Sequence, residues 1–441
     1  MDLVISFVIF IGAMIGCIAT GYTMVIALFA GLITFAVTGC HRGHTLKSVA
    51  SMGWDGLKDA FVVIEIMFII GFITAVWRSG GTIAFFVYYG IKLITPGLFL
   101  IITFVLCCLL SYALGTSFGV AGTVGVIFIA LARAGGVNEI LTAGVVMSGI
   151  YFGDRGSPVS SSAILVAAIT KTDLLGNVKR MAKSGLIPLL LTFGIYVVLS
   201  FLNPVHTVDQ SFLHTLETEF SVSLWCVLPA VCMIVLPLLK VQVVTAMIAS
   251  IVTGGLISIF VQHMEVAELL KALIFGYEAE GSLATVMNGG GMVSMIEIVC
   301  IVALSSTYSG IFAGTDLLGS LQEKMLPVMK KTGRFGTMVI MSFVFLGIFC
   351  NQTIASMMCS DFLKKPYEQL GSDREELALD LENSVILLAG TVPWAIACTV
   401  PLGFMQVGYG AIPLSLYLYM VPLCYGIQKA LRGTGRSAKK V

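Results

Sequence analysis

The sequence is poor in charged residues. Asp, Glu, Lys and Arg make up 11% of its 441 residues, and 58% of the residues are hydrophobic, whereas an ordinary soluble domain is about 25% charged. A soluble fold of this length could not hide so much apolar surface, because most of a globular surface needs polar cover. Apolar runs of roughly 20 residues recur along the chain, which indicates membrane-spanning helices and not the shorter alternating strands of a membrane barrel.

Other absences exclude further classes of protein. The net charge is only +1, so no basic field points to nucleic acid. The 11 cysteines form no CxxC pair and the five histidines have no metal-ligand spacing, so we predict neither a disulfide scaffold nor a structural metal. The chain has no phosphate-binding loop, no repeated channel filter and no intramembrane protease motif. We therefore predict that it is not an enzyme.

Hydropathy predicts thirteen spans. They lie near 3–20, 22–39, 61–77, 97–114, 116–133, 138–153, 184–203, 223–239, 242–261, 290–308, 335–350, 383–406 and 411–431, with shorter apolar pieces at 82–94, 163–170 and 351–363. Several runs are interrupted by glycine or polar clusters, which membranes tolerate only where protein or a water-filled cavity satisfies the freed backbone groups. We predict an all-α polytopic membrane protein with about 12 to 14 transmembrane helices, some of them broken or re-entrant.

The basic residues are concentrated in one set of connecting segments. Twenty of the 25 Lys and Arg lie in 40–60, 171–183, 322–334 and 364–374, at Lys240, and from Lys429 onward. By contrast, 203–221 contains no Lys or Arg, and 262–282 has four Glu against one Lys. The positive-inside rule places the basic set in the cytoplasm. Both termini are then expected to be cytoplasmic, with an even number of crossings.

The two halves of the chain carry similar landmarks at nearly one spacing. Ile64-Glu65-Ile66 matches Ile296-Glu297-Ile298, Gly115-Thr116-Ser117 matches Asn351-Gln352-Thr353, and Ser157-Pro158 matches Val392-Pro393, at spacings of 232, 236 and 235. Corresponding loops carry opposite charge, as in the inverted-topology repeats of secondary transporters. We predict repeats over 1–203 and 223–431, an extracytoplasmic linker at 204–222 and a cytoplasmic basic tail at 432–441. The alternative is a chance self-similarity among many spans.

The densest polar cluster within apolar sequence extends from Tyr151 to Ser162. Asp154 and Arg155 lie far from any hydrophilic loop, so an internal partner or water must satisfy them. Gly153 and Pro158 are expected to break the helix, which frees carbonyl oxygens for a cation and N–H groups for an anion. The hydroxyls of the cluster belong to Ser157, Ser160, Ser161 and Ser162. The alternative is a structural Asp–Arg pair near the cytoplasmic surface.

Other polar residues interrupt apolar runs elsewhere. The further candidates for binding a cation or substrate are Thr116, Ser117, Asn351, Thr353, Asn383 and Thr391. Pro393 marks the expected helix break of the second half. The glycines near Thr116 are equally compatible with close helix packing.

Glu65 and Glu297 are acids within apolar sequence. An intramembrane carboxylate is a functional candidate, because burial and nearby cations change its proton affinity. We predict that Glu65, Glu297 or Asp154 carries the transported proton. The alternative is that Glu65 lies near the start of its span and reaches the interface.

Several of these segments resemble the NhaC family of bacterial Na⁺/H⁺ antiporters, within the ion transporter superfamily. The resemblance rests on SGGTIAFFVYYGIKLI (79–94), GTSFGVAGTVGV (115–126), AGVVMSGIYFGDRGSP (143–158), KTDLL (171–175), GGMVSM (290–295) and LENS…VPW (381–394). It implies a multi-pass transporter of the bacterial inner membrane that exchanges Na⁺ for H⁺; relatives couple ions to organic acids such as malate and lactate. Homodimers are common among such antiporters.

The sequence departs from the family pattern at three positions. The family's second acid falls on Ser161, its late LED acid falls on Asn383, and its Lys is Arg155, which cannot readily lose its proton. A less charged centre with a guanidinium would also suit a solute that bears a carboxylate. We therefore predict Na⁺/H⁺ antiport by alternating access, with Na⁺- or H⁺-coupled transport of a small organic anion or amino acid as the alternative. The expected partners are the lipid bilayer and the transported species, and no cofactor is expected.

Overall fold

All thirteen predicted spans coincide with helices in the computed structural model, which describes residues 2–93, 95–205, 210–315 and 325–437. The helices of the first half are α1 (Asp2–Thr20), α2 (Met24–His41), α3 (Leu46–Ser79), α4 (Thr82–Leu93), α5 (Phe99–Leu114), α6 (Ser117–Val120), α7 (Val126–Ala134), α8 (Glu139–Gly156), α9 (Ser161–Thr170) and α10 (Leu174–Leu202). A π-helical turn at Ala121–Gly125 joins α6 to α7.

The second half is divided into more helices than the first in the described ranges. Its helices are α11 (Gln210–Glu219), α12 (Leu228–Leu238), α13 (Val243–Phe260), α14 (Val266–Phe275), α15 (Ala284–Met287), α16 (Ile296–Thr315), α17 (Met325–Thr332), α18 (Arg334–Phe349), α19 (Gln352–Gln369), α20 (Arg374–Glu382), α21 (Val385–Leu388), α22 (Ile396–Met405) and α23 (Leu416–Ser437). No β-strand occurs in the described ranges, which confirms the all-α class. Residues 206–209 and 438–441, parts of the predicted linker and tail, lie outside them.

The length and composition of the described helices identify six that can cross a membrane, or up to nine if each bent pair is one span. One bent pair, Arg374–Thr391 with Ile396–Met405, turns by 49° at its break. Its helix begins at Arg374 and not at 383, because hydropathy detects the apolar part of a helix and misses its charged first turns. The protein is a multi-pass membrane protein, and the total number of crossings stays a prediction.

The chain reverses direction between α5 and α8. Gly149 of α8 packs on Cys107 of α5, and Gly153 packs on Ser111, so the two helices are parallel. The intervening α6 and α7 must therefore return toward the start of α5. The reversal occurs at Gly115, which has a left-handed φ of 65° and ends α5. Residues 99–134 thus form a helical hairpin, named here hairpin 1.

A second hairpin has the same construction. Ser342 of α18 hydrogen-bonds Ser384 at 3.3 Å, and the Trp394 indole donates to the Gly347 carbonyl at 3.0 Å, so α18 is parallel to the α20–α21 segment. Helix α19 must run back between them. The reversal occurs at Cys350, again at a left-handed φ of 55°. Residues 334–369 are named hairpin 2.

Backbone features recur at a constant separation of 235 residues. Left-handed residues pair as Gly115 with Cys350, Gly136 with Gly371, and Lys171 with Gln406. The extended residues that open the two broken segments, 157–160 and 392–395, are Ser157 and Val392, at the same separation. Each hairpin tip packs on the break of its own half: Gly115 lies against Val159 and Ser160, and Cys350 accepts a hydrogen bond from Ile396 N at 2.8 Å. The two halves therefore share one local construction.

Helices α3 and α16 cross in close antiparallel contact. Gly53 faces Thr307 near one end of the pair, and Gly71 faces Met295 near the other. Next to Gly53, Gly56 lies against Gly310, where an added Cβ would meet the partner's Cα at 2.8 Å. Glycine is needed here because the two backbones touch.

Candidate functional site

Asp154 lies in the last turn of α8, directly before the break of the first half, and its side chain is buried. The Ser162 hydroxyl donates to both carboxylate oxygens at 3.2 and 3.3 Å, and Gln352 Nε2 donates to Oδ2 at 3.1 Å. Gln352 also donates to Ser162 at 3.2 Å. Ser162 belongs to α9, and Gln352 is the first residue of α19 in hairpin 2. The carboxylate is thus held between the broken helix of one half and the hairpin of the other.

The remaining serines of the cluster have different environments. Ser157 ends α8, donates to the Tyr112 carbonyl at 2.6 Å and accepts from Val159 N. Ser160 is the N-cap of α9 and donates to the backbone carbonyl of Asp154. Ser161 is exposed. Ser157 and Ser160 therefore shape the break, and Ser162 is the serine whose side chain contacts the carboxylate.

Arg155 points away from Asp154, into the contact between the two halves. Its Nε and Nη2 donate to Asn383 Oδ1 at 3.0 and 2.5 Å, and Nη1 donates to the Tyr417 hydroxyl at 3.2 Å. Nη2 also donates to Ser184 and to the Met181 carbonyl. No carboxylate of the described residues pairs with this buried guanidinium. Arg155 and Asn383 are thus brought together, but the alternative of a structural Asp154–Arg155 pair is wrong.

The polar residues at the hairpin tips act mainly as helix caps. Thr116 accepts from Gly119 N at 3.3 Å, and Asn351 Oδ1 accepts from Thr353 N at 2.9 Å and from Ile354 N. Ser117 is buried, and the Thr353 side chain is exposed. Thr391 donates to the Leu388 carbonyl at 2.7 Å within the second half. These caps order the hairpin tips. The side chain at a tip that contacts the Asp154 carboxylate is that of Gln352.

Two of the three residues that were expected to break helices lie in helix breaks. Pro158 lies in the break at 157–160, and Pro393 lies in the break at 392–395. Gly153 does not break the helix: α8 continues through Gly156, and Gly153 packs directly on the Ser111 backbone. The glycine is needed for helix contact there, so its expected role in the break was wrong.

Glu65 and Glu297 lie away from the buried cluster. Glu65 is exposed on α3. Glu297 is exposed in the first turn of α16, where it accepts a hydrogen bond of 2.5 Å from the Thr23 hydroxyl. The structure brings neither acid into contact with Asp154.

Sequence reasoning missed two further groups at the centre. Gln352 lies beside Asn351, which was identified, but its contact with Asp154 spans the two halves. Glu382 is completely buried, and neither of its carboxyl oxygens has a hydrogen-bond partner among the described residues. Both could have been found by asking which acids and amides adjoin a predicted break.

A buried ion pair lies on the same helix as Glu382. Asp380 is completely buried and receives Lys429 Nζ at 2.5 Å, together with the hydroxyls of Tyr367 and Tyr425. Lys429 also pairs with Glu376 at 2.8 Å. Lys429 was counted among the loop charges, but it lies within α23. Because Asp380 has three donors of this kind, including a lysine, we interpret it as part of a structural ion pair.

Two cavities open at opposite ends of α16. The first, named the Asp55 cavity, has a volume of about 370 Å³ and is lined by residues such as Asp55, Ser306, Ser309 and Asn351. The second, named the Glu297 cavity, has a volume of about 850 Å³ and is lined by residues such as Tyr22, Thr23, Glu297, Pro393 and Tyr409. One cavity therefore reaches the tip of hairpin 2, and the other reaches the break of the second half.

Across the described ranges, no group of three or more His, Cys, Asp or Glu side chains is arranged to hold a metal ion. The buried cluster is instead one carboxylate with neutral hydroxyl and amide partners. Such a set is suited to a weakly bound monovalent cation that must enter and leave.

Comparison with known proteins identifies the family of the chain. The chain is 26% identical to a malate-2H⁺/Na⁺-lactate antiporter of Bacillus subtilis, over 90% of this chain and 84% of the relative. It is 23% identical to the Na⁺/H⁺ antiporter NhaC of Alkalihalophilus pseudofirmus, over 90% and 88%, and 23% identical to the arginine/ornithine antiporter ArcD of Halobacterium salinarum, over 78% and 76%. Residues 2–165 and 149–427 match the Na⁺/H⁺ antiporter family. The chain belongs to the Na⁺/H⁺ antiporter family of secondary transporters.

Proposed function

We propose that this chain exchanges Na⁺ for H⁺ across the membrane and that the cation binds at Asp154. The observation that carries the proposal is the buried Asp154 carboxylate, which is shared between the first-half break and Gln352 of hairpin 2. A buried carboxylate that no positively charged group contacts is costly. A cation or a proton removes that cost, so the two compete for the same place.

The groups around Asp154 supply the chemistry that a dehydrated Na⁺ needs. The two carboxylate oxygens and the Ser162 hydroxyl are oxygen donors. Rotation of the Gln352 side-chain amide would present its oxygen in place of its NH₂ group. Carbonyl groups at the end of α8 lie close by, since Ser160 already donates to the Asp154 carbonyl. These side-chain roles are part of the proposal.

The two cavities support alternating access. Because they open at opposite ends of α16, a movement that closes one and opens the other would expose the centre to each side in turn. Glu297 is the proposed proton carrier on the side of its own cavity. No contact of Glu65 supports a role in proton transfer, so its involvement stays a prediction.

The recurrence at 235 residues supports the predicted inverted repeat. Hairpin 1 enters from the end of the molecule where α5 begins, and hairpin 2 enters from the basic end where α18 begins. The loops at these ends carry opposite charge, as expected of halves with opposite orientation. We place both termini in the cytoplasm and the protein in the bacterial inner membrane.

Transport of a small organic anion or amino acid is the second candidate. It is favoured by Arg155, a buried guanidinium without a carboxylate partner in the described ranges, and by relatives that are malate/lactate and arginine/ornithine antiporters. Guanidinium groups bind carboxylates through paired hydrogen bonds. In this structure, however, the Arg155 guanidinium already donates hydrogen bonds to Asn383, Ser184 and Tyr417.

Proteoliposomes with a pH gradient and an internal pH-sensitive dye test the proposal. We expect Na⁺ or Li⁺ added outside to dissipate the gradient, whereas K⁺ does not. If no cation dissipates it while a Na⁺ gradient drives uptake of malate, lactate or an amino acid, Na⁺/H⁺ exchange is wrong and the second candidate is correct.

Asp154→Asn tests the cation site itself. The amide keeps the shape and can still bond Ser162 and Gln352, but it removes the charge that holds the cation. We expect a folded protein that does not dissipate the gradient at any Na⁺ concentration tested. The matched control is Glu368→Gln, an acid exposed on α19, which should retain full exchange. Normal exchange by Asp154→Asn would remove the cation site from this position.

A further inference from the structure

Glu382 is a completely buried acid without a hydrogen-bond partner in the described structure. It is the last residue of α20 and directly precedes Asn383, whose side chain holds Arg155. Buried polar groups are nearly always hydrogen-bonded, and an orphaned buried carboxyl group calls for an explanation. Its position beside Asn383, at the contact between the two halves, makes an unformed contact with a ligand the first explanation to consider.

The charged groups around Glu382 divide into two sets. Those engaged elsewhere are Asp380 with Lys429, Glu376 with Arg334 and Lys429, and Arg180 with Glu375. The charges that act on Glu382 belong to Arg155 and Asp154 of α8. The polar groups nearest to Arg155, from Ser184 of α10 and Tyr417 of α23, are neutral. Glu382 therefore belongs to the same buried centre as Asp154.

The charges of this centre add up to one unmet negative charge. Asp154 and Glu382 supply two carboxyl groups, and Arg155 supplies one permanent positive charge. When both carboxyl groups are ionised, the buried centre is short of one positive charge, which is costly in a low-dielectric interior. One monovalent cation, or one proton, makes it neutral.

We propose that Glu382 is the second carboxylate of the transport centre and that it turns toward Asp154 to bind the transported cation. This inference rests on the proposed Na⁺/H⁺ exchange. It supplies a second carboxylate to a centre in which the side chains that contact Arg155, from Asn383, Ser184 and Tyr417, are neutral. When Na⁺ enters, the proton that neutralised the centre leaves to the water on the open side, so the total charge stays constant.

Na⁺ binding to the purified full-length protein in detergent measures this directly. Titration of NaCl against choline chloride at constant ionic strength, followed by thermal unfolding, gives the Na⁺-dependent rise in Tm that binding to the folded state produces. We expect Glu382→Gln to weaken Na⁺ affinity at least tenfold and to lose most of the rise in Tm. Glu368→Gln, the exposed acid, should match the wild type.

The variants also separate this inference from the proposed function. Wild-type Na⁺ affinity in Glu382→Gln overturns the inference, even if the wild-type protein exchanges Na⁺ for H⁺ and Asp154→Asn does not. If Glu382→Gln does not fold, Glu382→Asp keeps the carboxylate on a shorter side chain. We then expect a weaker affinity and a changed preference between Li⁺ and Na⁺, and wild-type values for both overturn the inference.

Discussion

At the scale of single residues, the contact between Arg155 and Asn383 joins the two halves at the centre of the molecule. Two guanidinium nitrogens converge on one amide oxygen, at 3.0 and 2.5 Å. The positive charge thus has an acceptor but no counter-charge in contact. An acceptor for a buried charge is worth more than an ordinary hydrogen bond, about 1.5–3 kcal/mol for each bond.

Substitutions of Asn383 should therefore change stability in a defined order. Asn383→Leu removes the acceptor and leaves the guanidinium with unmet donors, so we expect a lower Tm. Asn383→Asp pairs the guanidinium with a carboxylate but adds a third acid to a centre that is already short of one positive charge, so we expect a Tm between those of Asn383→Leu and the wild type. Thermal unfolding of the purified protein checks this order.

The same substitutions at Asn203 provide the control. Asn203 ends α10 and donates to the Leu199 carbonyl, with no guanidinium contact in the described ranges. Each substitution at Asn203 should therefore lower Tm less than the same substitution at Asn383. If Asn383→Asp is more stable than the wild type, the buried centre is not short of a positive charge.

The sequence alone identifies charged residues that lie within apolar runs. Asp154 and Arg155 are charges inside an apolar run, so they could be identified. Glu382 follows a stretch that contains Glu375, Glu376 and Asp380 and precedes the predicted span at 383–406, so it does not stand out as an acid within apolar sequence. The contact of Gln352 with Asp154 spans 198 residues, and no local pattern reports such a contact.

At the scale of helices, hairpin 1 and the broken α8 are held together by direct backbone contact. An added Cβ on Gly153 would overlap the Ser111 carbonyl group and the Tyr112 amide nitrogen. Neither group can move without moving α5, because both belong to its backbone. Since Asp154 is the next residue, the position of the carboxylate depends on this contact.

Gly153→Ala should therefore lower both stability and exchange. Overpacking of this kind costs about 1–3 kcal/mol, and the displacement of α8 would separate Asp154 from Gln352. We expect a lower Tm and a weaker apparent Na⁺ affinity in the proteoliposome assay.

Gly194→Ala is the matched control within α10. An added Cβ there meets nothing within 4 Å, and alanine is about 0.5–1 kcal/mol more favourable than glycine inside a helix. Its Tm should equal or exceed that of the wild type. Equal behaviour of the two alanine variants would contradict the close contact at Gly153.

Hydropathy predicted where the helices lie but not which of them turn back. A window of apolar residues has a length and no direction, so 97–114 and 116–133 were predicted simply as two spans. The reversals depend on Gly115 and Cys350, single residues in the left-handed region. Glycine at 115 permits that conformation, whereas a cysteine at 350 gives no such signal.

At the scale of the whole molecule, the two halves have a similar backbone framework around the centre but contribute different side chains to it. The positions 235 residues after Asp154 and Arg155 are Ala389 and Gly390, and Tyr151 packs directly on Gly390. These two charged residues of α8 thus have no charged counterparts at these positions, and the second half supplies Gln352, Asn383 and Glu382 from other positions. The predicted repeat agrees with the backbone features that the two halves share. A search for similarity between the halves cannot identify site residues that occur in only one of them.

The two cavities should be reached by solvent from opposite sides of the membrane. Asp55 and Tyr22 are exposed linings of the Asp55 and Glu297 cavities. We expect a membrane-impermeant maleimide to label Asp55→Cys in inside-out vesicles and Tyr22→Cys in right-side-out vesicles. The unsubstituted chain, whose cysteines are all buried or partly buried in the described structure, gives the background.

A second pair of positions tests whether the cavities alternate. Ser309 and Ile412 are buried linings of the Asp55 and Glu297 cavities, respectively. If one movement closes one cavity as it opens the other, Na⁺ should change the labelling rates of Ser309→Cys and Ile412→Cys in opposite directions. Both rates rising or falling together would contradict alternation, and labelling of Asp55→Cys and Tyr22→Cys from one side would contradict the opposed cavities. Because the Asp55 cavity reaches Asn351 and the Glu297 cavity reaches Pro393, opposed responses would place the moving elements at hairpin 2 and the second-half break.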